Sequence, residues 1–300
     1  MRQLLALAVL LAFSLPGISQ DYEIKLTRSF KPGDKCSFSA SASSSEILTT
    51  IVEGEEPEIE KEKKSIDFSG SLAVVEINKR GGILKSTLTV DKCVIEFDGE
   101  KSEPFKKGTE ITARMEDDET IFEVDGKPIE DEIVEALGMI DFIDDPESAS
   151  DDEIFGTKER KKIGDSWNIN AKAAAKDIEK EELKFDIKDI SGSTTIEKLV
   201  KVEGTDCLQI SAELTLKGLK PIDIPDGFNV KESAILATSG GLYPVDVSKG
   251  IIEERMEMKM QMKMSGRPDP DVPAVEVIVT SEQKSVQKYD YGEKKADNNK

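Results

Sequence analysis

Apolar and polar positions alternate through most of the chain, and this pattern predicts β-strands, because successive side chains leave a strand on opposite faces. Turn sequences rich in Gly, Pro, Asn and Asp separate the alternating segments. We therefore predict a mainly β fold of the β-rich α+β class, in which a long, antiparallel, curved sheet or open half-barrel packs against one or two helices. The clearest apolar faces are Tyr22/Ile24/Leu26, Cys36/Phe38/Ala40, Ile66/Phe68, Leu72/Val74, Leu88/Val90 and Cys93/Ile95/Phe97.

The most regular alternation is a methionine strand near the C-terminus. Methionine occupies every second position of this strand, at Met256, Met258, Met260, Met262 and Met264. The Pro-rich segment 266–273 then leads into a second alternating stretch that begins at Val275. We expect a long hairpin here with one soft apolar face, because methionine is flexible and polarizable.

One segment has helical spacing instead. Apolar residues recur every three or four positions after Pro128, at Ile129, Ile133, Leu137 and Ile140. Pro128 suits a first turn, and the acidic residues that follow complement the helix dipole. We predict a helix over about 129–143 whose apolar stripe packs on the sheet. The Ala/Lys/Glu-rich stretch 171–182 is ambiguous between helix and strand.

Two charged runs interrupt the alternation. The segment 53–64 is predicted to be a solvated loop. The acidic segment 144–153 lacks the spaced ligands and glycine of a calcium loop and is predicted to be a flexible linker. We expect a single β-rich domain over 20–291, with 20–150 and 151–291 as its halves if it divides, and a disordered polar tail over 292–300.

The N-terminus has the order of a secretory signal peptide: a positive charge at Arg2, an apolar stretch over 4–15, then Pro16 and small residues. Cleavage is expected after Ser19. The mature protein would be exported to the periplasm or the cell exterior. We expect no integral membrane segment in it, because no later stretch approaches about 20 apolar residues. A retained N-terminal anchor is the alternative.

A Gly-Asp turn before a strand occurs at Gly33 and again at Gly164, so a two-fold internal repeat is one interpretation. The Gly-Asp-Ser-Trp motif that ends at Trp167, together with the segments 151–156 and 241–246, resembles a family of secreted bacterial β-rich proteins of unknown function. More loosely, long antiparallel strands with a packed helix are similar to the open half-barrel of Lol-type lipoprotein carriers, which enclose apolar ligands. The first resemblance implies a secreted β-rich fold and supplies no catalytic residues.

Composition removes several classes of function. A net charge of −20 opposes binding to nucleic acids and to anionic membranes. The absence of histidine removes histidine-based nucleophile pairs, general bases and metal sites. Because no Gly-rich phosphate loop and no convergent catalytic set can be named, we expect no enzyme activity, no cofactor and no metal site.

Three cysteines in an exported protein are typical of one bridge and one free thiol. Cys36 and Cys93 both lie on apolar strand faces, whereas Cys207 falls on the polar side of its strand. A Cys36–Cys93 disulfide is one interpretation, and three buried or free thiols is the other.

Two functions remain open. The first is an exported, non-catalytic scaffold or interaction protein with a protein partner, in which the methionines fill the core. The second is a periplasmic binder or carrier of an apolar, lipid-like small molecule, in a cavity lined by the methionine strand together with Ile133, Leu137 and Ile140. Copper(I) binding by the thioethers is a third, narrower interpretation.

Overall fold

A computed structural model describes residues 20–116, 119–140, 142–181, 183–221, 224, 227–267 and 271–292. The predicted signal peptide (1–19) and positions 293–300 of the predicted tail lie outside the described residues. No helix in these ranges is long and apolar enough to cross a bilayer.

One antiparallel sheet dominates the described chain. Its strands are β1 (Lys35–Val52), β2 (Glu58–Ile77), β3 (Ile83–Phe97), β4 (Glu100–Ser102), β5 (Glu110–Glu116), β6 (Glu119–Val124), β7 (Lys127–Pro128), β8 (Ser166–Asn168), β10 (Ile190–Val202), β11 (Thr205–Lys217), β13 (Phe228–Pro244), β14 (Glu253–Gly266) and β15 (Val275–Asp290). Two short strands, β9 (Leu183–Lys184) and β12 (Lys220–Pro221), form a separate pair. The helices are α1 (Asp131–Gly138), α2 (Asp151–Ile154) and α3 (Ala171–Ile178).

The strand order is β7-β6-β5-β3-β2-β1-β15-β14-β13-β11-β10-β8, with β4 paired to β3. The first and last strands of this order do not pair with each other, so the sheet is curved and open. With helices packed on it, this arrangement confirms the predicted mainly β fold. Strands from the two ends of the chain meet in the middle of the sheet, where β1 pairs with β15.

The predicted C-terminal hairpin is confirmed, because β14 and β15 pair along their full length from Glu253 to Gly266. The prediction of a loop over 53–64 was wrong for its second part. Strand β2 begins at Glu58 and pairs with β1. Pairing with a long neighbour on the sheet satisfies the backbone there and overrides the polarity of the side chains.

Helix α1 is shorter than the predicted 129–143. Before the helix, strand β7 pairs with β6. After Gly138 the hydrogen bonds span three residues, as in the bond from Met139 N–H to Ala136 O at 3.2 Å. The ambiguous stretch after Asn170 forms helix α3. The Asn170 side chain caps this helix by accepting a hydrogen bond from Ala173 N–H.

The acidic segment 144–153 is anchored, which corrects the prediction of a flexible linker. The Arg80 guanidinium donates to Asp144 Oδ2 at 3.3 Å and to Asp145 O at 2.9 Å. Asp152 Oδ1 accepts from Leu26 N–H at 2.6 Å. The segment therefore ties the N-terminal strand hairpins to helix α2.

The two Gly-Asp turns share one hydrogen-bond pattern. Each glycine has a positive φ, +92° and +87°, and each donates its N–H to the carbonyl of a neighbouring strand, whose N–H returns a bond to the aspartate carbonyl. The participants are Gly33/Asp34 with Val74 and Gly164/Asp165 with Ile196. This equivalence supports the interpretation of an internal repeat at the level of the turns.

Three apolar cores lie on one face of the sheet, which we call the inner face. The N-terminal core packs strands β1–β3, β5 and β6 against α1 and includes Phe38, Phe68 and Leu137. The C-terminal core packs β10, β11 and β13 against α2 and α3. The third core places the N-terminal segment around Ile24 against strands β10 and β11. The inner face is therefore covered separately at its two flanks.

Candidate functional site

The methionines of β14 form an apolar strip that the cores do not include. Among the described residues none of the five belongs to any of the three clusters. Met256 is 38% exposed and Met262 is 7% exposed, while the other three are half-buried. On the neighbouring strand β15 the cross-strand partners are Ser285, Gln283, Ser281, Val279 and Val277. We call the five methionines with Val277 and Val279 the methionine surface.

Sheet order explains why this surface lies outside the cores. Strands β14 and β15 lie between the flank covered by α1 and the flank covered by α2 and α3. Of the described residues in these two strands, Tyr289 alone joins a buried core. The methionine surface is therefore the middle of the inner face, between the two cores that the helices cover.

The opposite, outer face of the same hairpin is charged. Lys259 pairs with Glu257 at 2.8 Å, and Lys263 pairs across the hairpin with Glu276 at 2.8 Å. Such exposed pairs each contribute little stability, but they keep this face hydrated. A depression of about 720 Å³ on the outer face has a mixed lining, in which Gln209 and Glu213 lie beside Val200, Val202 and Leu242. The charged pairs make the outer face of this hairpin less suited to an apolar ligand than the methionine surface.

A partly enclosed cavity of about 340 Å³ lies at the end of the methionine surface. The sheet contributes Met256, Glu254 and Tyr243 to its wall, and the covering segments contribute Met139 and Phe155. Its volume is at the lower end of the range for small-molecule sites. It lies where the two covered flanks approach each other, so it joins the methionine surface to the helices.

Two carboxyl groups face this cavity with raised pKa values. Burial raises the pKa of Glu254 to about 7, and the charge of Asp151 adds to the rise. Burial also raises the pKa of Asp151 to about 6, with further contributions from Asp152, Asp144 and Asp177. Asp151 is itself an exposed residue, as expected for a side chain on a cavity wall. Neither group has a cation as an ion-pair partner among the described residues.

Two buried tyrosines surround Glu254. Burial raises the pKa of both Tyr243 and Tyr289 well above the ordinary value. The Tyr289 hydroxyl donates to Gln287 Oε1 at 2.6 Å and also lies within hydrogen-bond reach of Glu254. A hydroxyl has one proton to donate, so it satisfies these two acceptors one at a time.

The structure does not bring the two predicted sets of cavity residues together. Leu137 and Ile140 are buried in the N-terminal core, and Ile133 packs against it, whereas no methionine of β14 belongs to that core. Their neighbour Met139 is the residue that reaches the cavity beside Met256. Sequence reasoning missed Glu254, although it occupies the next inner position before Met256 and continues the same alternation. It also missed Asp151. No sequence pattern marks this residue, because only the folded chain brings it to the cavity.

The predicted Cys36–Cys93 disulfide is not formed, and all three cysteines are free. Cys36 lies opposite Leu72 and Cys93 lies opposite Phe68, so strand β2 separates the two thiols by about 10 Å across the sheet and they cannot bond. Burial raises the pKa of Cys36 to about 12 and that of Cys93 to about 11.

Cys207 lies on the same side of its strand as Gln209 and Ser211, as predicted, yet it is 0% exposed. It lies opposite Pro244 on strand β13, and Val245 N–H bonds to Asp206 O beside it. Burial raises the pKa of its thiol. Alternation predicted that the Cys207 side chain points away from the apolar face of its strand. The segment that follows β13 lies beside this residue, where Val245 is bonded to Asp206.

Comparisons with known proteins give no family for the chain. No protein-family model matches it, and no curated protein is similar to it in sequence. Among solved structures it is similar to lipovitellin, described for its lipid–protein interactions, with 10% identity over 87% of this chain and a TM-score of 0.33. The chain spans 26% of the length of that protein. A DUF1329 family protein from Desulfovibrio piger matches with 10% identity over 84% of this chain and 86% of its own, at a TM-score of 0.12. Superpositions with TM-scores below 0.5 assign no ligand to this chain.

Proposed function

We propose that the protein, exported to the periplasm or the cell exterior, binds or carries an apolar, lipid-like molecule that lies along the methionine surface. The observation that carries this proposal is the position of the methionine surface between the two helix-covered cores. The chain packs helices on its apolar strand faces at both flanks, and the methionines of β14 belong to none of these described cores, although Met262 is buried. A contiguous apolar strip of mostly half-buried side chains, bordered by covered flanks, is typical of a binding groove.

The dimensions and chemistry of the strip suit an extended chain. Met256 to Met264 spans about 27 Å along the strand. Thioether side chains adapt to ligands of variable shape, since methionine is unbranched and has several rotatable bonds. Each methylene that leaves water contributes about 0.8 kcal/mol. Contact along half of the strip therefore offsets a binding cost on the order of several kcal/mol.

A scaffold or interaction protein is the second candidate function, and a different observation favours it. Ile47 and Ile59 are exposed on the outer face of strands β1 and β2, at 38% and 56%. They lie close together there, because Ile59 pairs with Thr49, two positions from Ile47. This small patch suits contact with a protein partner.

A matched pair of substitutions on one strand tests the binding proposal. Met260→Lys places a charge on the methionine surface, and Gln261→Lys places the same charge on the outer face one residue away. The measurement is titration with N-phenyl-1-naphthylamine, an uncharged fluorescent probe of apolar sites. We expect about a tenfold weaker affinity for Met260→Lys, because a buried charge opposes an apolar ligand. Gln261→Lys should bind as the wild type does.

Native mass spectrometry of protein isolated from its own envelope gives a second readout, in which bound lipid is detected directly. The absence of both retained lipid and probe binding would leave the binding proposal without support. Substitution at Ile47 and Ile59 that removes a protein partner, with probe binding unchanged, would favour the scaffold function instead.

A further inference from the structure

The apolar strip has a polar end. On the inner face of β14 the position before Met256 is Glu254, so one strand face runs from a carboxyl group into five methionines. Both Glu254 and Met256 line the cavity of about 340 Å³, where the covering segments close over the sheet. Beyond that cavity the methionine surface continues through the half-buried Met258, Met260 and Met264, with Met262 buried among them. A bound molecule would therefore meet carboxyl groups at one end and thioethers along its length.

The second carboxyl of this cavity, Asp151, forms no ion pair with a described residue, whereas several of its acidic neighbours do. Asp144 pairs with Arg80 at 3.3 Å, Asp152 pairs with Lys25 at 2.5 Å, and Asp145 pairs with Lys180. Asp151 lies between these paired residues in the sequence, faces the cavity, and forms no ion pair with a described Lys or Arg. Asp144, Asp145 and Asp152 thus have cations from the protein, whereas the two acids at the cavity have none among the described residues.

Resting on the proposed function, we propose that this cavity holds the protonated amine head group of a single-chain amphiphile whose alkyl chain lies on the methionine surface. An ammonium group has three N–H donors and no acceptor, which matches a cavity whose polar wall presents the Glu254 and Asp151 carboxyl oxygens. The amide and hydroxyl side chains of Gln283 and Ser285 lie in the same wall. Charge-assisted hydrogen bonds to carboxylates are about twice as strong as neutral ones.

Electrostatics favour a cation over an anion at this end of the strip. The surrounding protein raises the pKa of both carboxyls, and no described Lys or Arg forms an ion pair with either, so a bound cation would stabilise their charged forms. A carboxylate or phosphate head group would meet these acids and a chain with a net charge of −20. The geometry therefore selects among lipids by the sign of the head group.

Three ligands of one chain length test the proposal: decylamine, decanol and decanoate, each displacing N-phenyl-1-naphthylamine from the full-length protein at about pH 8, where decylamine is cationic. We expect decylamine to bind about tenfold more tightly than decanol, and decanoate to bind most weakly. In the Glu254→Gln, Asp151→Asn double variant the advantage of decylamine over decanol should fall to about twofold or less. The control is Glu257→Gln, which removes a charge from the outer face and should keep the advantage.

The outcomes separate this proposal from the proposed function. Equal displacement by decylamine and decanol in the wild type would overturn the amine site while leaving apolar binding intact. A loss of preference in Glu257→Gln as large as in the double variant would also overturn it, because overall charge would then explain the result. Failure of all three ligands to displace the probe would contradict the proposed function itself. A thermal unfolding scan of each variant shows that it is folded, and the wild-type preference decides the question if the double variant is not.

Discussion

Strands β2 and β14 carry the same alternating pattern but meet different environments. On β2, Phe68 lies between Ala40 and Cys93 and is 1% exposed beneath the N-terminal core. On β14, Met256 is 38% exposed and its strand contributes to none of the described cores. The difference shows that alternation predicts which side chains share a face, whereas the position of a strand in the sheet order decides whether that face is covered.

The largest expected effect comes from the covered side of this comparison. Phe68→Ala should lower the free energy of unfolding by about 3–5 kcal/mol, because it removes a fully buried ring and leaves a cavity beneath Phe38. Denaturant unfolding followed by circular dichroism measures the change. A loss below about 1 kcal/mol would mean that the N-terminal flank is packed as loosely as the methionine surface.

The second expected effect comes from the cavity between the two flanks, and it is a gain in the free energy of unfolding. Glu254→Gln should raise stability at neutral pH by up to about 3 kcal/mol, since the folded pKa of Glu254 is about 7 against an ordinary value of 4.5. The folded state holds this proton more tightly than the unfolded state, so the wild type loses stability as pH rises from about 4.5 to about 7.

Unfolding at several pH values in that window measures this difference. The gain in Glu254→Gln should shrink to nearly zero below about pH 4.5, where both states of the wild type are protonated. Asp151, Tyr243 and Tyr289 also face Glu254, and each remains in both proteins. Arg28 donates a hydrogen bond to Pro244 O at 2.9 Å, one residue after Tyr243 in the chain. A pH-independent gain would show that packing, and not the charge of Glu254, causes the effect.

Much of the fold could be predicted from the sequence, because strand alternation and turn chemistry are local. The β14–β15 hairpin and the curved antiparallel sheet followed from period-two patterning. The start of β2 at Glu58 did not, because it depends on pairing with distant strands.

The candidate site was predictable only along one strand. The methionines share a face as the alternation required, but their expected neighbours Leu137 and Ile140 pack elsewhere. Helix α1 packs on one flank of the sheet, whereas the methionine strand lies in the middle of the strand order. No local pattern in the sequence encodes that order. Asp151 reaches the cavity because Arg80, Lys180 and Lys25 anchor the acidic segment on either side of it.

The smallest expected effect comes from the uncovered side of the comparison. Met260→Ala should lower the free energy of unfolding by less than about 1 kcal/mol, because Met260 is half-buried, lies outside the described cores and has Ser281 as a cross-strand neighbour. The same denaturant experiment as for Phe68→Ala measures it, so the two values are directly comparable. A loss of about 2–5 kcal/mol would place Met260 in a packed core and would favour the scaffold function, in which the methionines fill space. A small loss accompanied by weaker probe binding would instead assign this side chain to the ligand, since it would then contribute more to binding than to folding.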